Sequence, residues 1–392
     1  MVTRMRLGLA VAALFPGVVL ACSDIWGFRD VTLIDAGADA PHDAPPATDA
    51  GGDVVEARAP DAMPEAAPGC AQALPPGRPN TDDTPDGGDG GVDIVFAATT
   101  LDIGQNSSSA FDPNHPLGFD LDGVCTCFED AGGSCVGTTQ VCDTAGGRDE
   151  SANVVLAEIA VDPYLSQAGL QASLSEGDFG LLLHVHGYNG LANDQSVIVE
   201  YFPSGGTLGA SPDAGAAWTV TSGSVFNMTG GVWVSNYLDG TAYVKDFVLV
   251  SQLDSFPLLV IPKLGNGNPI TFDLSSLVVA APLVQTGGSW SIQGAQVGAR
   301  WVTSDALYDM HTIQDLSGQS LCGSDSTYMT LVSHICDGAD IAASPNLFDA
   351  GAPCSALSVG LGFDAVPASM GGKYDPPVVG IDCPDGWAPS CP

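Results

Sequence analysis

Basic residues are scarce in this chain of 392 residues. It has 10 lysines and arginines against 46 aspartates and glutamates, which gives a formal net charge of -36 at pH 7. Proteins bind nucleic acids and anionic lipid surfaces through basic patches, so this charge balance excludes both as electrostatic partners. We therefore expect no nucleic-acid partner, and cations are the natural ligands of such a polyanion.

Several motifs of common enzymes are also missing. The chain contains no GxSxG nucleophile elbow, no HExxH zinc motif and no GxGxxG dinucleotide-binding motif. Gly371-Gly372-Lys373 is followed by Tyr374 instead of serine or threonine, so it is not a phosphate-binding loop. We therefore assign no catalytic residue from the sequence and favour a non-catalytic role.

The hydrophobic run at the amino terminus is too short for a comfortable membrane span. Residues 1–22 read MVTRMRLGLAVAALFPGVVLAC, with Arg4 and Arg6 ahead of an apolar stretch that Pro16-Gly17 interrupts. This pattern is typical of an export signal. Its end, Val19-Leu20-Ala21-Cys22, resembles a bacterial lipobox, in which the cysteine is lipidated after cleavage. Ordinary secretion with cleavage at the same small residues is the alternative.

The cysteine count agrees with lipidation of Cys22. The chain has 11 cysteines, so ten remain if Cys22 carries lipid. An even number in an exported chain predicts five disulfides without a free thiol. The remaining cysteines are Cys70, Cys125, Cys127, Cys135, Cys142, Cys322, Cys336, Cys354, Cys383 and Cys391. We expect at least one pair within the four cysteines at 125–142, another within the five at 322–391, and Cys70 as partner of the one left over from the five.

An acidic segment separates the lipobox from the folded part. Residues 35–69 are rich in Asp, Ala, Pro and Gly and almost lack large apolar side chains, so they cannot bury enough surface to fold. We predict a signal peptide over 1–21 and a disordered tether over 22–91. Together they resemble uncharacterised bacterial surface lipoproteins. The resemblance implies a cell-envelope protein anchored in the lipid bilayer, and Ser23 in place of Asp favours the outer membrane or cell surface.

The folded part is predicted to be mainly β. A series of segments rich in β-branched and aromatic residues, among them 153–161 and 289–302, predicts strands separated by Gly, Asn and Asp. Because amphipathic helices do not alternate with them, we expect an antiparallel β-sandwich or jelly roll over 92–302. We predict one short helix at 304–316, inside a cysteine-rich part, 303–392, of the same folded unit.

The sequence FDLDGV at 119–124 resembles the first motif of the haloacid-dehalogenase phosphatases, whose first aspartate attacks a phosphoryl group. That family places the motif between a buried parallel strand and a helix. Here a proline-broken polar loop precedes the motif, and CTCFEDAGGSC follows it. We therefore interpret the similarity as a coincidence.

The stretch 119–153 combines cysteines with carboxylates. Local disulfides would draw Asp120, Asp122, Asp143 and Asp149 together, and hard carboxylate oxygens suit calcium. The spacing differs from that of an EF-hand loop. A stapled acidic loop without metal is the alternative, and an oxidising compartment disfavours zinc held by the four cysteines.

His184 and His186 form a second candidate metal or ligand face. Residues two apart on a strand share a face, so both rings point the same way, an arrangement that suits zinc or copper. The opposite face carries apolar side chains and should face the core. No third ligand is evident among the other histidines, and two histidines on an outer sheet face are the alternative. The apolar side chains are Phe179, Leu181, Leu183 and Val185, and the other histidines are His42, His115, His311 and His334.

The function that follows is a non-catalytic binding or surface-structural role with an unidentified ligand. Four tryptophans fall in predicted strands, where they either fill a core or form a platform for a carbohydrate or envelope polymer. They are Trp218, Trp233, Trp290 and Trp301. The alternative is an extracellular hydrolase on a jelly-roll scaffold, directed at polysaccharide, which would place two carboxylates about 5–10 Å apart in a cleft.

Overall fold

The fold is known from a computed structural model. It describes residues 72–80, 91–127, 133–137, 141–159, 165–208, 214–229, 232–260, 269–313, 320, 322–323, 326–345, 352–377, 383 and 387–391. The predicted signal peptide, Cys22 and the tether apart from residues 72–80 and 91 lie outside these residues. No helix in the described part of the chain is both long and apolar enough to cross a membrane.

Eight strands form a closed antiparallel barrel. The strands in the described ranges are β1 Val92–Ala98, β2 Gly180–Tyr188, β3 Asp194–Ser204, β4 Ala217–Thr221, β5 Val225–Thr229, β6 Val232–Ser235, β7 Tyr237–Lys245, β8 Val248–Val260, β9 Ile270–Thr286, β10 Ser289–Val302 and β11 Ala356–Tyr374. The barrel order is β1-β2-β3-β7-β8-β9-β10-β11, and β11 pairs back onto β1. Strand β4 adds to the far end of β11 in parallel, and β5 and β6 form a separate hairpin.

The prediction of a mainly β, antiparallel fold is confirmed, but the sandwich or jelly roll is not: eight of the strands form one closed sheet. Strands β8 to β11 have 13, 17, 14 and 19 residues, and the β10–β11 register shifts beside Gly294 at φ 67°. Long strands with bulges curve strongly enough to close a sheet. Both architectures have the same alternation of inward and outward side chains, so the sequence pattern could not separate them.

The strand that closes the barrel was not predicted. Strand β11 contains Pro367 and four glycines, residues that are depleted in strands. Pairing with β10 and β1 on its two sides overrides this weak propensity. The barrel therefore extends beyond residue 302 into the region that had been separated as 303–392.

The described ranges contain four α-helices instead of the single short one predicted. They are α1 Ser151–Ile159, α2 Gln167–Glu176, α3 Thr303–Asp309 and α4 Ser326–Asp337. The helix expected at 304–316 is α3, which continues as a 3-10 turn to Thr312. The strand predicted at 153–161 is wrong, because α1 occupies most of it. Its buried residues Ala152, Val155 and Leu156 have helical spacing, and their packing outweighs the β propensity of the valines.

Apolar side chains pack on both faces of strands β1 to β3. Leu183 and Val185 of β2 belong to the main core. Leu182, which precedes Leu183 and points to the opposite side, belongs to a second cluster with Phe202 and Trp218 on the outer face. This alternation follows from the two-residue period of a strand, and the outer cluster includes Val220 of β4 and Val225 of β5.

Disulfides join distant parts of the fold. The pairs among described cysteines are Cys127–Cys142, Cys135–Cys354, Cys322–Cys383 and Cys336–Cys391. Pairs within the first group and within the C-terminal group are therefore confirmed. The cysteine left over is Cys354, and it bonds Cys135 instead of Cys70 because Val136 and Pro353 form a β-bridge beside the pair. Cys125 is also disulfide-bonded, and Cys70 lies outside the described residues.

Residues 72–80, placed in the tether by the sequence analysis, lie against the barrel. The Arg78 guanidinium donates to the carbonyl oxygens of Gln195 at 2.6 Å and Thr241 at 2.5 Å. It also lies 4.7 Å from the ring centre of Tyr243, whose hydroxyl donates to the Pro76 carbonyl. This short segment therefore forms part of the folded unit.

Candidate functional site

The acidic loop that begins at Leu117 lies on the outside of β10 and β11. Its backbone comes so close to β11 that a Cβ atom on Gly360 would lie 2.6 Å from the Leu117 carbonyl oxygen. Gly118, at φ 79°, makes the matching approach, since a Cβ there would lie 2.9 Å from the Gly360 Cα. From β10, the Arg300 guanidinium donates to the Leu121 carbonyl at 2.6 Å. Two glycines and one arginine therefore fix the position of the loop.

Three aspartates of this loop converge on one point. Asp120, Asp122 and Asp149 each offer a carboxylate oxygen, and these oxygens lie within 4.8 Å of one another. All three side chains are buried. One oxygen of each carboxylate accepts a backbone N–H, which fixes its orientation. The donors are Gly123 to Asp120 at 2.7 Å, Val124 to Asp122 at 2.8 Å and Leu121 to Asp149 at 2.6 Å.

The second oxygen of Asp120 accepts no hydrogen bond from the residues that the structure describes. Asp120 is 5% exposed, and its Oδ2 atom is buried without a hydrogen-bond donor among the described residues. Leaving a buried carboxylate oxygen unpartnered costs free energy, and native structures usually satisfy such groups. An atom of this kind, facing two further carboxylates, fits a cation ligand.

Two more carboxylates surround the three. Asp143 accepts the Thr126 N–H at 2.6 Å and interacts electrostatically with Asp122. Asp340 comes from the segment after α4 and accepts the Ser151 hydroxyl at 2.7 Å and the Ser358 N–H at 2.9 Å. The cluster therefore joins the loop to the rest of the barrel.

Burial raises the pKa of these carboxyl groups. Desolvation, with repulsion from neighbouring aspartates, raises the pKa of Asp120 to about 7 and that of Asp143 to about 8. The pKa of Asp340 rises to about 6 for the same reason, and that of Asp149 rises well above its usual range. Burial lowers the pKa of Arg300, although attraction to Asp149 and other aspartates partly opposes this shift.

The cluster thus sets five carboxyl groups around one guanidinium. At neutral pH they either retain protons or bind a cation that replaces them. Carboxylate oxygens in a flexible cage are the ligands that calcium prefers. Zinc on the four nearby cysteines is excluded, because Cys125, Cys127, Cys135 and Cys142 are all disulfide-bonded and a bonded sulfur is not a thiolate ligand.

The structure brings together three of the four predicted calcium ligands and places further charged groups beside them. Asp120, Asp122 and Asp149 meet within reach of one ion, and Asp143 lies beside them. Sequence reasoning missed Asp340 and Arg300, which belong to distant segments and carry no local signal. The phosphatase-like motif 119–124 lies in a loop and not at the end of a strand.

The histidine pair faces outward, as predicted. The His184 and His186 rings are stacked, with centres 4.5 Å apart and planes 5° apart. Leu183 and Val185 point into the core on the opposite side. The third potential ligand is Glu200 on β3, directly opposite His184 in the strand pairing. The search among histidines missed it, although the β2–β3 hairpin register would have placed it there.

The tryptophans do not form an exposed platform. Trp218, Trp290 and Trp301 are buried in the hydrophobic clusters. Trp233 is half-buried, donates its Nε1–H to the Gly371 carbonyl at 2.8 Å and lies under the Lys373 ammonium at 5.0 Å. Three of the four tryptophans therefore fill the hydrophobic core clusters instead of forming a platform for carbohydrate.

The chain matches no protein-family model, no curated protein and no solved structure. Its function therefore has to be inferred from the geometry of the acidic cluster and of the group formed by His184, His186 and Glu200.

Proposed function

We propose that this chain is an exported, lipid-anchored envelope protein whose barrel is a calcium-stabilised, non-catalytic binding or surface-structural module. The observation that carries the calcium assignment is the unpartnered Asp120 Oδ2 atom within a buried group of carboxylates. Export and attachment to the bilayer through Cys22 rest on the N-terminal sequence, as does the outer membrane or cell surface as location. The high negative charge suits such a setting because it keeps the protein soluble.

Calcium would act on the folded state. The carboxylates belong to the 117–124 loop, to Asp143, to Asp149 before α1 and to Asp340 after α4. These segments are separate in sequence, so the unfolded chain does not hold the carboxylates together. A ligand that binds only the folded state stabilises it by about 2.7 kcal/mol at a hundredfold excess over its dissociation constant. Without calcium, the five carboxyl groups would repel one another or hold protons.

The test is thermal unfolding of the wild-type protein in calcium and in chelator at neutral pH. We expect a higher melting temperature in calcium. Asp120→Asn/Asp122→Asn should abolish the calcium effect and raise the melting temperature in chelator, because the substitution removes two repelling charges. Asp246→Asn/Asp254→Asn makes the same charge change at exposed positions and should keep the wild-type response. Identical wild-type melting in calcium and in chelator would show that the loop is a stapled acidic loop without metal.

A second candidate, an extracellular hydrolase, is favoured by one observation. The side chains of His184, His186 and Glu200 are the kind of three-ligand set that holds a hydrolytic zinc ion and leaves a position for water. The cavity inside the barrel does not support a hydrolase directed at polysaccharide. Its lining includes none of the acidic residues that glycoside hydrolysis uses. Hydrolysis of a chromogenic ester by the zinc-loaded protein, absent in His186→Gln, would support the hydrolase.

A further inference from the structure

Three neighbouring strands place four polar side chains together on the outer face of the barrel. Glu200 of β3 lies opposite His184 of β2, and Val95 of β1 lies opposite His184 on its other side. Asp93 of β1 pairs with His186. Because outward positions alternate along each strand, these four side chains share the face that carries the outer apolar cluster.

The distances in this group match a metal coordination sphere. Glu200 Oε2 lies 3.1 Å from His184 Nδ1 and 3.5 Å from His186 Nε2. Zinc bonds of about 2.0–2.1 Å in a tetrahedron separate the ligand atoms by about 3.4 Å. The ligand atoms of the three residues lie within 4.8 Å of one another. The two histidine rings are stacked and nearly parallel, so one ion cannot lie in both ring planes until the partly exposed His186 ring rotates. After that rotation the three atoms can occupy one face of a tetrahedron around a single ion.

One of these atoms makes only a long polar contact. His186 Nε2 is buried without a hydrogen bond of good geometry among the described residues, and it lies 3.5 Å from Glu200 Oε2. A metal ion between this nitrogen and Glu200 would satisfy it. A proton shared between His184 and Glu200 leaves it unsatisfied.

Neighbouring groups hold the other two ligands in place. Asp93 Oδ1 lies 2.7 Å from His184 Nε2, so that nitrogen donates to Asp93 and Nδ1 is left to face Glu200. The Ser235 N–H donates to Glu200 Oε1 at 3.0 Å and leaves Oε2 for the site. Metal-binding histidines usually make such a second hydrogen bond to a carboxylate, which fixes the ring and its tautomer.

We propose that His184 Nδ1, His186 Nε2 and Glu200 Oε2 bind a zinc ion, with the fourth coordination position open to water or an anionic ligand. Two imidazole nitrogens and one carboxylate oxygen are a ligand set typical of zinc, and calcium prefers oxygen alone. Of the three ligands, His186 has the most exposed side chain, at 31%. His184 and Glu200 are 7% and 4% exposed. Asp93 acts as a positioning residue for His184.

The experiment measures zinc binding to the full-length protein without an affinity tag, freed of metal and then kept in saturating calcium. Calcium occupies the acidic cluster, so zinc reports on the histidine site. Competition with a chromophoric chelator should give one zinc ion per chain. His186→Gln should weaken zinc binding by more than about 100-fold, and Asp93→Asn by about 10-fold to 100-fold. Cobalt in place of zinc should give the intense visible absorption of a four-coordinate site in the wild type and not in His186→Gln.

His115→Gln is the matched control, because His115 Nε2 also lies beside an aspartate, 2.6 Å from Asp102 Oδ2, but is not part of a three-ligand group. It should leave zinc affinity unchanged. His186 is the most exposed of the three ligands, so its variant is expected to fold, which an unchanged melting temperature without zinc would confirm. Wild-type zinc affinity in folded His186→Gln would overturn the proposal. So would a wild-type protein that takes up no zinc in calcium, whatever the calcium result.

Discussion

Removal of the Cys135–Cys354 disulfide should cost more stability than removal of any shorter-range disulfide. Its half-cystines are 219 residues apart in sequence, whereas Cys127 and Cys142 are 15 apart. In the chain-entropy description, a cross-link restricts the unfolded chain more when it closes a longer loop. The expected losses in the free energy of unfolding are about 5 kcal/mol for the long loop and about 3 kcal/mol for the short one.

The long-range disulfide also contacts the acidic cluster. The Cys135 sulfur lies 3.0 Å from the Asp340 carbonyl oxygen, and the backbones of Val136 and Cys354 are hydrogen-bonded beside it. Its removal should therefore weaken calcium binding as well as lower stability. We expect the calcium-dependent gain in unfolding free energy to shrink in Cys135→Ser/Cys354→Ser.

Urea unfolding at equilibrium measures both effects, in saturating calcium and in chelator. Cys127→Ser/Cys142→Ser is the matched control, since it also removes one disulfide and two sulfur atoms from the acidic region. Mass spectrometry under non-reducing conditions verifies that the other disulfides are retained. A short-loop variant that loses as much stability as the long-loop variant would refute the entropy argument.

Two further predictions concern a buried acid and the amino terminus. Burial raises the pKa of Asp309 to about 7, so between about pH 4 and pH 7 the unfolded chain releases a proton that the folded protein keeps, and stability falls as the pH rises. Asp309→Asn should remove roughly 4 kcal/mol of that loss in stability. Urea unfolding in calcium should give equal stabilities for the wild type and the variant at low pH, and a more stable variant at about pH 8. Parallel pH profiles of the two proteins would contradict this. The mature protein should begin at a lipidated Cys22 and partition into detergent, and Cys22→Ala should release it; an unlipidated mature terminus in mass spectrometry would exclude the anchor.

The cysteines show how far sequence reasoning extends into the tertiary structure. Parity predicted oxidation, and grouping along the chain predicted a local pair, which Cys127–Cys142 confirms. The bond between Cys135 and Cys354 could not be predicted, because it depends on a β-bridge between segments far apart in sequence. Spacing reports only on cysteines that are close along the chain.

Strand propensity was reliable where side chains alternate and failed where packing decides. Strand β10, with its alternating apolar residues, was predicted at its observed bounds of 289–302. Strand β11 was missed because its glycines admit the acidic loop at Gly360, a requirement set by a neighbour and not by the strand itself. Helix α1 was taken for a strand because its valines favour β structure, whereas its burial pattern is helical.

The two candidate sites divide in the same way. The candidate ligands could be identified from the sequence: aspartates at 120, 122, 143 and 149 among cysteines, and histidines at 184 and 186 on one strand face, because two-residue spacing on a strand fixes direction locally. The groups that complete each site come from other segments of the fold. Glu200 meets the histidines through the register of the β2–β3 hairpin. Arg300 of β10 and Asp340 from the segment after α4 contact the acidic loop and its neighbours, and they meet because segments far apart in sequence pair in the barrel, which local preferences do not encode.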